Sequence, residues 1–145
     1  MAEIWSDHAR FEAMRLVEVA ASEETEGPTA EELEAIRRVS FTVEEIAERE
    51  KVTDHDTAAF VDVLAQSAGP AGRWIHYGLT SSDVLDTGLA LQLRRSAELV
   101  LPDSRRLAML LAAKAREHVH TLCTGRTHGI HAEPTTFGIK LAGFA

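Results

Sequence analysis

The chain has 145 residues, 45% of them hydrophobic and 26% charged, a composition that excludes an intrinsically disordered segment. Its formal charge of −8 is uneven: residues 1–67 carry 17 acids against 6 bases, and residues 68–145 carry 6 acids against 9 bases. Such a balance argues against nucleic acid as a partner, because phosphate binding needs a basic face, and leaves the second half able to receive a small anion.

A single cysteine, Cys123, rules out an internal disulfide and points to a reducing, cytoplasmic setting. No apolar run is long enough to span a bilayer, and Met1 is followed by Glu3 rather than by a basic, apolar leader, so no membrane partner is expected.

The pattern along the chain predicts helices nearly throughout, an all-α fold. Ser6 is placed to cap a helix running to about Glu24, with Phe11, Met14, Val17 and Ala21 on one face. "EGPT" (26–29) breaks it. Thr29 with Glu32 forms a capping-box pair for a short helix through Arg38, and Thr42 with Glu45 another for a helix to about Lys51. A fourth helix is expected from Asp54 or His55 to about Ser67. "GPAG" (69–72) reads as a turn and "RWIHYGL" (73–79) as an ordered loop. "TSSD" (80–83) caps a helix to about Val100, and Pro102 restarts one through about His120. A loop over 123–133 follows. Pro134 suits the first turn of a last helix, since its missing N–H is not needed there. That helix reaches Ala145 through the apolar "FGIKLAGFA", which predicts an exposed apolar face or a covering partner.

Three segments have the residue types for chemistry. In "TDHDTAAF" (53–60), His55 and Asp56 fall in the first turn of a helix, where free N–H groups and the helix dipole favour anions. His55 is able to donate to a phosphate or carboxylate, with Asp56 fixing its tautomer or binding a hydroxyl. The plainer reading makes Asp54 and Asp56 capping acids and His55 an exposed bystander. In "HYGLTSSD" (76–83), Thr80, Ser81 and Ser82 bring three hydroxyls to a helix N-terminus, a site able to offer donors to a carboxylate, or simply an ordinary cap. His76 and Tyr77 either line a pocket or pack. In "GRTHGIHAEPTTFG" (125–138), Gly125 and Gly129 permit tight turning and close approach of a ligand. Arg126 supplies a cation, Thr127 a hydroxyl and His128 a proton carrier near neutral pH. A metal site drawing on His118, His120, Cys123 and His131 is disfavoured. His118 and His120 lie two apart on an expected helix and so face different ways, and the spacing fits no zinc pattern.

Together "DHDTAAF", "HYGLTSSDVLDTGLALQL" and "GRTHGIHAEPTTFGIKLA" resemble the adenylosuccinate lyase family of the aspartase/fumarase superfamily. "TSSDVLDT" and "GRTH" indicate the superfamily; "HGIHAEPTTFG" narrows it. The opening "IWSDHARFEAMRLVEVA" also resembles that family near its start, so the resemblance runs over the whole chain in order.

The resemblance implies an N-terminal helical domain over 1–100 and, over 101–145, the beginning of a central long-helix bundle. It implies β-elimination of fumarate from adenylosuccinate, giving AMP, and from the succinyl-carboxamide ribonucleotide of purine biosynthesis. No cofactor or metal is implied. By motif position, His128 matches the acid that protonates the departing nitrogen. Thr80 with Ser81, and His55 with Asp56, match substrate-binding pairs. Thr127 is a further expected contact, and His76 matches a histidine lining the site. Asp54 stands where the family often has a basic residue, which makes the pocket edge more acidic. His131 receives no transferred role and, with Glu133, is expected to shape the loop entering the Pro134 helix.

Family members are far longer. The 145 residues lack the family's Arg-Tyr segment that helps hold the nucleotide phosphate, its serine-bearing flexible loop, and most of the helices that build a homotetramer. They are therefore expected to be a fragment, inactive alone. Two alternatives remain: a non-catalytic helical interaction module, and another superfamily lyase such as argininosuccinate lyase or a cycloisomerase relative.

Overall fold

The computed structural model describes all residues, Met1–Ala145, and is mostly α with one small two-stranded sheet. The chain divides into two compact units, Met1–Ser96 and Ala97–Ala145.

In the first unit, helix α1 spans Asp7–Glu24, α2 Ala30–Arg37, α3 Val43–Thr53 and α4 Asp56–Ser67. Their starts follow from local chemistry. The Ser6 hydroxyl accepts the Ala9 N–H at 3.2 Å. Thr29 and Thr42 each close the expected capping box, with Glu32 and Glu45 returning a carboxylate to the cap N–H. The cap of α4 is less ordinary: His55 itself holds the position, its Nδ1 accepting the Ala58 N–H at 3.3 Å.

The core gathers Phe11 and Met14 of α1, Ile36 of α2, Ile46 of α3 and Phe60 and Leu64 of α4. Phe11 stacks on Phe60 with ring centroids 5.5 Å apart, and Phe41 meets both edge-on. The buried face of α1 differs from the expected one. Past Met14 it continues through Glu18 and Ser22, while Val17 and Ala21 lie at its margin. A helix buries residues that recur every three to four positions, whatever their polarity, so the stripe continues over an acid and a hydroxyl.

A 3₁₀ helix, Gly69–Trp74, follows α4 where a turn and a loop were expected. Gly72 permits it: a Cβ there would lie 2.2 Å from the Ala65 carbonyl oxygen.

Helix α5 runs unbroken over 37 residues, Ser81–Glu117, straight through Pro102. The expected restart at Pro102 therefore does not occur. One missing N–H and the crowded ring do not end a helix whose other bonds persist on both sides. Its buried residues Val84, Gly88, Gln92 and Ser96 form an i, i+4 stripe that stops where the first unit stops.

In the second unit, the predicted loop over 123–133 is instead a β-hairpin. Strand β1, Leu122–Thr127, pairs antiparallel with β2, Ile130–Thr136. Pro134 belongs to β2, opposite Thr124, and the short helix α6, Phe137–Ala142, is capped by Thr136 instead. In a two-stranded sheet every strand has a free edge, so a proline costs no ladder bond on its outer side. The register slips between Thr124 and Arg126, a bulge at Gly125, where a Cβ would meet the Glu133 carbonyl oxygen at 2.6 Å. His118 lies just past the end of α5 rather than on it, and its ring meets Phe137 edge-on at 5.1 Å. Ile139 and Phe144 are exposed, the apolar face expected at the end of the chain. No helix is long and apolar enough to cross a membrane.

Candidate functional site

The first unit holds two histidine-bearing corners. At the α3–α4 corner, Asp54 closes α3 in the left-handed conformation at φ 48°, its N–H bonded to the Glu50 carbonyl at 2.8 Å. His55 comes next, about half exposed. Because its Nδ1 accepts a backbone N–H, a neutral ring carries its proton on Nε2 and presents that N–H outward. Asp56 does not set this tautomer. Its Oδ1 lies 3.7 Å from Nδ1, too far for a hydrogen bond, and instead accepts the Thr57 N–H at 2.7 Å. The other oxygen accepts from Arg10 Nη1 at 3.2 Å. Burial works to raise the Asp56 pKa, but the Thr57 bonds and the Arg10 guanidinium outweigh it and hold the carboxyl below its ordinary range. The sequence did not single out Arg10. Its position on the face of α1 beside the buried stripe is the only local signal for it.

The second corner links the 3₁₀ helix to α5. His76 adopts φ 63° and Gly78 φ 75°, two left-handed residues that turn the chain sharply before Thr80. The corner is held from below by Glu18 of α1, whose side chain is fully buried. One Glu18 oxygen accepts the His76 backbone N–H at 2.7 Å; the other lies 2.7 Å from His76 Nδ1. One turn on, the Ser22 hydroxyl bonds both the Glu18 carbonyl and the Trp74 carbonyl. Sequence reasoning missed Glu18. The available signal was an acid four residues after Met14 and seven after Phe11, on the apolar stripe itself, where a charge persists only if paired.

Thr80 and Ser81 open α5. The Thr80 N–H is already bound, donating to the Asp83 carboxylate at 2.9 Å. The hydroxyls of Thr80 and Ser81 make no hydrogen bond within the protein; the Asp83 N–H bonds the Thr80 carbonyl at 3.0 Å, which leaves the Ser81 and Ser82 N–H groups without a helical acceptor. This helix start can offer several donors to an anionic oxygen.

The second unit carries His128 and Thr127. His128 and Gly129 are the two residues between β1 and β2, at φ 51° and φ 77°. Two successive positive φ values match the type I′ turn, whose twist suits an antiparallel pair. His128 therefore stands at the tip of the hairpin, exposed, with no hydrogen bond from its ring to the protein. Thr127 ends β1 opposite Ile130 and is exposed. His131 lies on β2 opposite Arg126 rather than in a loop, and both line a concavity of about 600 Å³ together with Lys140. Within the first unit the fold thus brings His55 beside Asp56, and His76 to the turn that leads into Thr80 and Ser81; within the second it sets His128 next to Thr127.

A family model described as lyase matches residues 4–145. Adenylosuccinate lyase of Bacillus subtilis is 44% identical, over 98% of this chain and 34% of that enzyme. Adenylosuccinate lyase of Staphylococcus saprophyticus is 41% identical over the same shares. Among solved structures, the 3-carboxy-cis,cis-muconate lactonizing enzyme of Pseudomonas putida superposes with a TM-score of 0.85 at 32% identity, covering 97% of this chain and 35% of that one. The chain spans about a third of the length of the curated relatives it matches.

Proposed function

Since the chain belongs to the lyase family, matching its model from residue 4 to 145, we propose that it supplies part of the site of an adenylosuccinate lyase of the aspartase/fumarase superfamily. The reaction is a β-elimination. A base takes the proton beside one succinyl carboxylate, the C–N bond breaks, and fumarate leaves as the nitrogen is protonated. AMP is the second product from adenylosuccinate, and the succinyl-carboxamide ribonucleotide of purine biosynthesis is cleaved in the same way.

His128 is the acid. An exposed ring with no protein partner is free to take its proton from solvent and pass it to the departing nitrogen. Thr80 and Ser81 bind a substrate carboxylate through unbonded hydroxyls and the start of α5, stabilising the charge that develops there. His55 donates through Nε2, with Asp56, Asp54, His76 and Thr127 as further substrate contacts. The base is assigned to none of these residues. The 145 residues alone are expected to be inactive, and the working enzyme is expected to be a cytoplasmic homotetramer.

The observation that carries this reading is the 44% identity to an adenylosuccinate lyase over 98% of the chain, a span that contains all three motif segments. The test is fumarate release from adenylosuccinate by the polypeptide that carries these residues. Turnover of a muconate or argininosuccinate substrate, with adenylosuccinate untouched, would overturn it.

A further inference from the structure

The buried carboxylate of Glu18 has no part in the chemistry above, yet it meets one of the candidate substrate contacts on two sides. One oxygen is fixed by the His76 backbone N–H, a donor that cannot change its role. The other faces His76 Nδ1 at 2.7 Å. An ionised carboxylate only accepts, so the ring must put a proton on Nδ1 to complete this contact. The ring is then pinned through Nδ1, and Nε2 is the atom left to meet a ligand.

Burying a carboxylate at zero exposure is costly unless it is fully paired. An amide or hydroxyl would have held the backbone turn alone. A carboxylate that spends its second oxygen on the ring adds what those groups would not: a fixed tautomer and a fixed ring direction. The left-handed backbone of His76, at φ 63°, places the ring where α1 can reach it.

We propose that Glu18 is a positioning residue: by holding a proton on Nδ1 of His76, it orients that ring and presents Nε2 to the substrate. The proposal rests on the substrate contact assigned to His76 above.

Glu18→Gln is the informative variant. The fixed backbone donor takes the glutamine oxygen, so the amide NH₂ is turned toward the ring and requires a bare Nδ1. The neutral ring then carries its proton on Nε2 instead. Long-range ¹H–¹⁵N spectra of histidine-labelled protein report this directly. Nδ1 of His76 is expected to be protonated in the wild type and bare in Glu18→Gln. A bare Nδ1 in the wild type, which needs no variant and no activity, overturns the proposal, as does an unchanged tautomer in Glu18→Gln.

Kinetics of the active polypeptide supply the second arm. Glu18→Gln is expected to raise KM about tenfold, with a smaller change in kcat. In a His76→Asn background, where asparagine tolerates the left-handed backbone, the same substitution is expected to change KM no further. A merely structural Glu18 would give the same loss in both backgrounds, and that result also overturns the proposal. If the longer wild-type polypeptide that carries these residues releases no fumarate, the lyase reading falls instead, and the positioning role of Glu18 is then decided by the tautomer alone.

Discussion

His76 and His128 share a backbone and little else. Each sits at positive φ, 63° and 51°, in a turn that also contains a glycine at positive φ. The His76 ring is clamped by a fully buried carboxylate; the His128 ring stands at the tip of a hairpin with no hydrogen bond to the protein. The difference shows that a left-handed histidine only sets where the ring starts. What it can do depends on whether a neighbouring element grips it. A gripped ring keeps one tautomer and suits binding. A free ring can exchange its proton and suits acid–base work.

The sharpest way to break this comparison is at His128. In the active polypeptide, His128→Ala is expected to lower kcat by about 10²–10⁴-fold with little change in KM, read by steady-state kinetics. Unchanged turnover with only a raised KM would move His128 from acid to binding group. Stability should show the opposite ranking. Glu18→Ala leaves the His76 N–H and ring without their acceptor and is expected to cost about 3 kcal/mol in urea unfolding. His128→Asn, which keeps a residue suited to positive φ, should stay within about 0.5 kcal/mol. Equal losses would mean that the two rings are held alike.

Gly125→Ala tests the hairpin that carries His128. The new Cβ would press on the Glu133 carbonyl oxygen at 2.6 Å, with an expected cost of about 1–3 kcal/mol in thermal unfolding. A neutral result would mean that the bulge is not required.

The smallest effect concerns Asp56. Its folded pKa lies below the ordinary 3.8, so its contribution to stability is complete above that value and is lost as pH falls through the folded pKa. The pair with Arg10 is about a third exposed, so the contribution is expected to be less than about 1 kcal/mol. Asp56→Asn should flatten the acid limb of the stability profile while leaving stability relative to wild type lowered at neutral pH. An unchanged acid limb would remove Arg10–Asp56 from the account.

Sequence legibility followed how local each cause was. The capping boxes at Thr29 and Thr42 were readable because both partners lie within four residues. The hairpin was not read, although His128-Gly129 separates two runs that contain β-branched residues, because Pro134 also fits a helix start. Neighbouring strand pairing decided it: Thr124 opposite Pro134 commits that residue to β2. Pro102 misled in the other direction, since a long helix with bonds on both sides absorbs one missing donor.

By itself, the sequence determined the helical content, most helix starts in the first unit, and the three motif segments whose order points to the lyase family. Hydrophobic periodicity, caps and motif spacing are properties of residues near one another in the chain. Only the tertiary structure decided that the His55 cap, not Asp56, sets that ring's tautomer, and that Glu18 reaches across 58 positions to His76. A hydrogen bond between distant residues leaves no local pattern. It exists because α1 and the turn at His76 meet when the core closes, and a buried carboxylate must then find its donors there.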